Sequence, residues 1–419
     1  MSHKLPDGWR EESLSNITNI IVSNVDKKSS STEIPVTLCN YMDVYNNSYI
    51  DKSLNFMTAT ATKEEINKFS LKVDDVLITK DSETPEDIAI PAVVSEIFDN
   101  FVCGYHLAIL RPKNGLAGRF LNNILMSKKV HNHFVRFANG ATRFGLTLDA
   151  IKKAKIPLPP IEEQRKIAEI LGTVDEKISN IDQQISATET LKKGLMQKLF
   201  TEGIGHTEFK STEIGTLPKS WEVRSIENIA DVSSSKRIMK SEYVNEGIPF
   251  YRSKEIILKS RRHKLADVIY ISNERFISLK EKFGAPVTGD ILITAVGTIG
   301  VCYVVQEEEF YFKDGNLLWM RNISDNLNSD FLIYYFQTRN FKKSIEDVSG
   351  GSNQHALTII KFNNVCLPLP PIEEQQKIAS ILTEVDNKIE SLKKKKEKYT
   401  TLKTGLMQQL LTGQKRVEI

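Results

Sequence analysis

Residues 157–164, PLPPIEEQ, recur without change as residues 368–375. The offset of 211 residues holds without a gap from Pro157 to Thr201, which aligns with Thr412. Both copies continue with an IAxIL segment (from Ile167 and Ile378), a VDxKI segment (from Val174 and Val385) and a GLMQxL segment (from Gly194 and Gly405). No other feature constrains the fold as much, because both copies must build the same supersecondary unit.

Each copy opens with a stop and a start. The prolines enforce an extended entry, and the Glu pair suits a helix N-terminus, where partial positive charge accumulates. Leu171, Val174, Ile178, Ile181, Ile185 and Thr188 are then spaced 3, 4, 3, 4, 3, which is a heptad seam. Leu382, Val385, Ile389 and Leu392 keep that spacing in the second copy; Lys396 interrupts it and Tyr399 resumes it. A helix over residues 161–200 would be about 60 Å long at ~1.5 Å per residue. An apolar stripe of that length needs a partner, and the other copy supplies one.

The repeat extends upstream. Leu5, Pro6 and Trp9 match Leu217, Pro218 and Trp221; residues 75–79 match 290–294; Leu107 and Arg111 match Leu317 and Arg321; Leu146 and Thr147 match Leu357 and Thr358. The expected division is a first globular domain over 1–156, a helix over 157–203, a polar, glycine-containing linker over 204–216, a second globular domain over 217–366, a helix over 367–412 and a tail over 413–419. Within the globular parts, the glycine-punctuated run 287–305 reads as strand–turn–strand. Residues 120–137 and 331–345 read as helices whose aromatics are core.

Catalytic motifs are scarce. The chain lacks a GxxxxGK[ST] loop, a GxSxG elbow, an HExxH motif and the N/D-P-P-Y/F tetrapeptide used by amino-methyltransferases. His131 and His133, two residues apart, face different sides of a helix. Residues 175–177 read as a solvated helix face. The four cysteines form no CxxC and read as free thiols, and no apolar stretch reaches ~18 residues, so the expectation is a cytoplasmic protein. Residues 1–156 carry 19 Lys/Arg against 18 Asp/Glu and residues 217–366 carry 20 against 18, so any nucleic-acid surface must be local. The densest basic stretch holds Arg252, Lys254, Lys259, Arg261, Arg262, His263 and Lys264, preceded by Lys236, Arg237 and Lys240. The lysine run 393–396 reads as the outer face of the coil.

A P-L-P-P-x-x-E-Q-x-x-I-A-x-I-L…D-x-K-I helix, present twice, follows each globular domain. Each domain opens L-P-x-x-W and holds a D-[VI]-L-I-T strand. In this the chain resembles the DNA-specificity subunit of type I restriction–modification systems, over nearly its whole length. The resemblance implies an α+β fold: two target recognition domains separated by two long repeated helices that form an antiparallel coiled coil, with pseudo-two-fold symmetry. It implies that each domain reads one half of a bipartite, asymmetric site on double-stranded DNA. The paired helices then set the spacer and dock two methyltransferase subunits, which recruit restriction/translocase subunits. It implies no catalysis by this chain, with S-adenosylmethionine, ATP and Mg on the partners only and no membrane contact. A self-sufficient DNA-modifying enzyme and a pure coiled-coil scaffold are the competing classes.

Base edges are read by Arg, Lys, Asn, Gln and Ser/Thr from elements entering the major groove. The candidates are Thr142, Arg143 and Phe144 in the first domain and Asn353, Gln354 and His355 in the second, in loops that precede the repeated helix at matching positions. Asn40 and Tyr41 follow the extended Pro35–Val36 pair, and Arg252, Ser253 and Lys254 follow Pro249–Phe250. Lys236, Arg237, Arg261 and Arg262 are candidate phosphate contacts. For each, the bland alternative is a structural turn. Helix pairing is expected through Leu171, Val174, Ile178, Ile181 and Ile185 against Leu382, Val385, Ile389 and Leu392.

Overall fold

The computed structural model describes residues 5–261, 263–324, 326–349 and 356–418. The repeated segments form helices Ile161–Thr201 and Ile372–Leu410, of 41 and 39 residues, each with two glutamates in its first turn. Two compact units result, residues 1–183 with 394–419 and residues 184–393. The cut runs through both helices rather than at their ends. Each globular head therefore keeps the beginning of the helix that follows it and the end of the other.

The side chains explain this partition. In the first unit Ile167, Ala168 and Leu171 share one core cluster with Leu410 and Leu411, together with Trp9, Phe120 and Ile156. In the second unit Ile378, Ala379 and Leu382 share a cluster with Leu199, Phe200, Trp221 and Phe331. Each fully buried leucine contributes about 1.5–3 kcal/mol by leaving water. Along the seam Leu171, Val174, Ile181, Leu382, Ile389 and Leu392 are buried, whereas Ile178, Ile185 and Val385 are half-buried.

Ion pairs fix the direction of pairing. In the first unit Asp175 meets Lys403 at 2.5 Å and Asp182 meets Lys396 at 2.7 Å. In the second, Asp386 meets Lys192 at 2.7 Å and Glu189 meets Lys393 at 3.0 Å. Numbers rise on one helix as they fall on the other, so the segments in each unit run antiparallel. Lys403 and Asp386 are the repeat counterparts of Lys192 and Asp175, so the two units make one ion pair twice. Both expectations for these charges need correction. Asp175 is not a solvated face residue, and Lys393 and Lys396 do not merely solvate the outside. Lys192, Lys396 and Lys403 occupy heptad positions, where their stems cover the seam and their ammonium groups reach an acid across it.

A tyrosine reinforces the pair in each unit. The Tyr334 hydroxyl donates to Asp386 at 2.9 Å and the Tyr49 hydroxyl to Asp175 at 3.4 Å. These tyrosines come from different elements, one from the helix Ser329–Gln337 and one from the strand Tyr49–Ile50. Burial, and then the facing aspartate, pushes both phenols up to about 12.

The EEQ triplet seats each head on its helix. The buried Gln164 donates to the carbonyls of Pro159 and Gly115 at 2.9 Å and accepts from the Ala117 amide at 3.0 Å. Gln375 repeats this with Pro370, Asn326 and the Asn328 amide. Buried Glu163 accepts the Trp9 indole N–H at 3.0 Å and holds Arg416 through two bonds of 2.7 and 2.8 Å. Glu374 accepts the Trp221 indole N–H at 3.0 Å, and His206 lies 2.9 Å away. The invariant motif is a socket for the tryptophan of L-P-x-x-W and for the loop entering each head's helix pair.

Each head is built on two larger sheets, with two-stranded pairs beside them. The first head has a five-stranded sheet ordered Thr18–Val22, Leu107–Pro112, Val76–Thr79, Pro91–Val94, Tyr49–Ile50, and a three-stranded sheet in which Ile34–Cys39 pairs parallel with Phe101–Cys103. The second has a four-stranded sheet ordered Asp231–Ser233, Leu317–Arg321, Ile291–Thr294, Cys302–Val304, and another in which Ile248–Tyr251 pairs parallel with Tyr311–Phe312. The strand–turn–strand read at 287–305 is the antiparallel pair Ile291–Thr294 and Cys302–Val304. Each expected aromatic helix is instead two: Gly118–Leu125 with Lys128–Phe137, and Ser329–Gln337 with Arg339–Ser349. The break in the second head falls at extended Thr338, whose hydroxyl accepts from the Phe341 amide and starts the next helix.

The D-[VI]-L-I-T aspartates anchor these sheets differently. Asp75 takes both the Nε and a terminal nitrogen of Arg111 at 2.8 Å. Asp290 accepts the Trp319 indole N–H at 2.8 Å, and Arg321 lies over that ring at 4.5 Å. The preceding position is left-handed in both, Asp74 at φ 76° and Gly289 at φ 93°.

Candidate nucleic-acid interface

The parallel strand pairs bring distant candidates together. In the first head the amide of Gly104 donates to the Cys39 carbonyl at 2.8 Å, so the turn after Phe101–Cys103 lies against the end of Ile34–Cys39. A Cβ on Gly104 would stand 2.7 Å from that carbonyl, which is why the position is glycine. Asn40 and Tyr41 follow directly, but not in a loop. Asn40 precedes the helix Tyr41–Asn46, and its amide donates to Asp43 at 2.7 Å. Tyr41 stacks on Tyr45, with ring centroids 5.7 Å apart.

The turn ends in His106, held at φ 71°, a conformation that costs a residue with a side chain on the order of 1–3 kcal/mol. Three contacts hold it there. Its Nδ1 lies 2.5 Å from Asp81, its carbonyl accepts from the Lys80 amide, and its Nε2 lies 3.5 Å from Arg143. Arg143 is exposed, as is Thr142, and Phe144 pairs with Ser82. Arg143 is also near enough to Tyr41 to oppose the upward push that burial and Tyr45 give its phenol. Residues 41, 81, 106 and 143 thus form one face, with exposed Tyr105 at its edge.

The second head gathers its candidates around the turn 313–316. The Lys313 amide donates to the Tyr251 carbonyl at 2.8 Å, as Gly104 does to Cys39. Arg237 Nε donates to Asp314 at 3.1 Å, Ser235 to the Phe312 carbonyl at 2.6 Å, and Ser253 to the Asn316 carbonyl at 3.3 Å. Arg252 caps the helix Ser253–Ser260 rather than standing in a loop, because its amide donates to Glu255. Its guanidinium is bound to the same carboxylate at 2.6 Å. Burial pushes Glu255 up, but these bonds outweigh it and leave the carboxyl below its usual range.

Several expected cations are therefore committed internally. Arg252 holds the buried Glu255, whereas Arg237 pairs with Asp314 and stays exposed. Lys259 binds Glu308 at 2.7 Å between the rings of Tyr251 and Tyr303. Lys236 lies over Phe283 at 4.8 Å. Lys254 and Arg261 are exposed. Arg262, Asn353, Gln354 and His355 lie outside the described residues. Their neighbour Ala356 bridges to Val296, as Gly145 pairs with Asp81 in the first head.

Sequence reasoning missed Asp81, Tyr105, His106, Lys313, Asp314 and Asn316. Long-range strand pairing, parallel and antiparallel, brings them to the face, and no local signal reports it. Among the described residues no three His, Cys, Asp or Glu side chains are placed to hold a metal ion, and no helix is long and apolar enough to cross a membrane.

Comparison with known proteins decides the family. A family model described as the type I restriction modification DNA specificity domain matches residues 6–189 and again residues 218–400. The chain belongs to the type I DNA-specificity family. The chain is 29% identical over 425 residues to a Methanocaldococcus jannaschii protein named for the specificity subunit of the type I restriction enzyme MjaX, covering 99% of this chain and 95% of that one. The EcoKI specificity subunit of Escherichia coli is 20% identical, with 99% and 90% covered. The crystal structure of the type I S subunit from M. genitalium shares the fold, with a TM-score of 0.58, 15% identity and 98% of each chain covered. The two matched segments coincide with the two repeats, so the family domain occurs twice.

Proposed function

We propose that this chain is the DNA-reading subunit of a type I restriction–modification complex, and that each head reads one half of a bipartite, asymmetric site. One observation carries the reading. The helices and their EEQ sockets are built twice from the same motif, while the corresponding faces of the heads carry different residues. Tyr41, His106 and Arg143 stand in one, and Lys254, Asn316 and the Arg237–Asp314 pair in the other. Unlike faces on a shared frame suit unlike half-sites.

The paired helices set the spacer. Half-sites read from one side of a duplex lie about 34 Å apart, roughly one turn. The helices also dock two methyltransferase subunits, through which restriction/translocase subunits join. Chemistry belongs to those partners, with S-adenosylmethionine, ATP and Mg bound there. A methyltransferase must extrude its target base from the stack, and this chain decides only where. The complex works on DNA in the cytoplasm.

The test is a matched insertion. One heptad is added between Gln183 and Gln184 and one between Lys394 and Lys395, so that both helices grow in register. The unread spacer should lengthen by about 10 Å, roughly three base pairs, at ~1.5 Å per helical residue and ~3.4 Å per base. Methylation mapping of a host carrying the assembled system reads it out. An unchanged spacer refutes the ruler.

A further inference from the structure

The first head has a second cationic feature that its reading face does not use. A cavity of about 410 Å³ opens between the strand Arg10–Ser13, the helix Lys128–Phe137 and the edge Lys155–Leu158. Lys129, Arg136, Lys153 and Lys155 line it, with Glu11 and the exposed ring of Phe137. Glu11 is shared, at 3.1 Å from Lys129 and 3.6 Å from Lys155. Lys153 reaches only Asp149, at 3.4 Å, in a pair that is largely exposed on both sides. Four cations thus line the cavity with one carboxylate, a net positive surface that draws in anions.

The repeat shows that the fold does not demand this. The corresponding positions of the second head are Val223, Asn340, Asp347, Val348, Asn364 and Cys366. One helix joins the cavity to the reading face, with cavity-lining His133 on one side of it and His131 on the other. The helix Lys128–Phe137 leads within six residues to Arg143, and Asn139 donates to the Phe137 carbonyl at 3.1 Å. From the same helix His131 lies 2.9 Å from the Glu86 carbonyl, beside Asp87, whose carboxylate takes the Tyr45 hydroxyl.

We infer that this cavity holds backbone phosphates of the duplex just outside the half-site read by the first head, an anchor the second head lacks. The inference rests on the DNA-reading function proposed above. Phosphate contacts fix register without carrying sequence. The anchor therefore biases how firmly one half-site is held and leaves the recognised bases alone.

The experiment uses the assembled complex and a duplex carrying the site mapped by methylation sequencing. Binding is measured from low to high salt for the unaltered protein, for K129Q/R136Q/K153Q/K155Q, and for R136Q/K153Q, which spares both Glu11 pairs. Each lost phosphate contact removes about 0.9 from the slope of log K against log salt. The fourfold variant should flatten by about two to three and the double by about one to two, with unchanged methylation sites. Coincident slopes overturn the inference. Failure of the fourfold variant to assemble with its partner subunits also overturns it, because the cavity then takes an acidic protein segment. If the unaltered complex does not prefer its site to a scrambled duplex, the DNA-reading function itself fails.

Discussion

The two units differ where they would meet a ligand and agree where they hold themselves together. Both seat a tryptophan on the second glutamate of EEQ and clamp a loop with the glutamine. Both close the seam with one lysine–aspartate pair, and both add a tyrosine to that aspartate. Yet Tyr49 and Tyr334 come from unrelated places in the heads, and Arg416 faces Glu163 where His206 faces Glu374. The same interaction is thus supplied by different residues in the two units. The faces around residues 104–106 and 313–316 have no such constraint beyond the parallel strands that place them.

The sharpest way to break this likeness is to remove the glutamines. Gln164→Ala and Gln375→Ala each strip the partner from a part-buried amide N–H and from two carbonyls, one of them buried. At about 1–3 kcal/mol for the buried carbonyl and less for the part-buried groups, each should cost roughly 2–4 kcal/mol in chemical denaturation. Similar losses support a common socket, whereas a tolerant member of the pair denies it. Arg143→Ala acts on the difference instead. It should weaken binding by about 1–3 kcal/mol and relax recognition in one half-site only, read by methylation mapping across degenerate sites. Relaxation in both halves would contradict separate faces.

Smaller effects test the seam. Lys192→Met and Lys403→Met each strand a partly shielded aspartate and should cost about 1–2 kcal/mol, equally in the two units. Unequal values would show that the ion pair is a twin in geometry alone. The tyrosines give a pH signature. Their folded pKa of about 12 lies above the ordinary 10, so their contribution is complete below pH 10 and is lost as pH rises toward 12. Tyr49→Phe and Tyr334→Phe should each reduce the alkaline loss of stability. A denaturation series from pH 8 to 12 in which neither changes that loss removes the tyrosines from the account.

Much of the frame was legible because it is local and repeated. The proline entry, the heptad spacing and the glutamate pair all report on neighbours within a few residues. The seam lysines were harder, since a cation at a heptad position reads as a break until the acid across the coil is seen. The faces were least legible. Asn40 and Arg252 follow strands as expected, but Asp43 and Glu255, three residues on, turn those positions into helix starts. His106 comes to Arg143 only through Asp81 and a strand crossing from sixty residues away in sequence, a pairing that leaves no periodic trace. Basic residues mislead for the same reason: Arg252 and Lys259 count toward a charged patch in sequence and are spent on Glu255 and Glu308 in the fold.

The central claim, that two independent readers share one frame, is tested most directly by exchanging residues 217–366 for the second domain of another member of the family and mapping methylation sites in a host carrying the complete system. The expected result is a new second half-site with the first half-site and the spacer retained. New bases in both halves would contradict it.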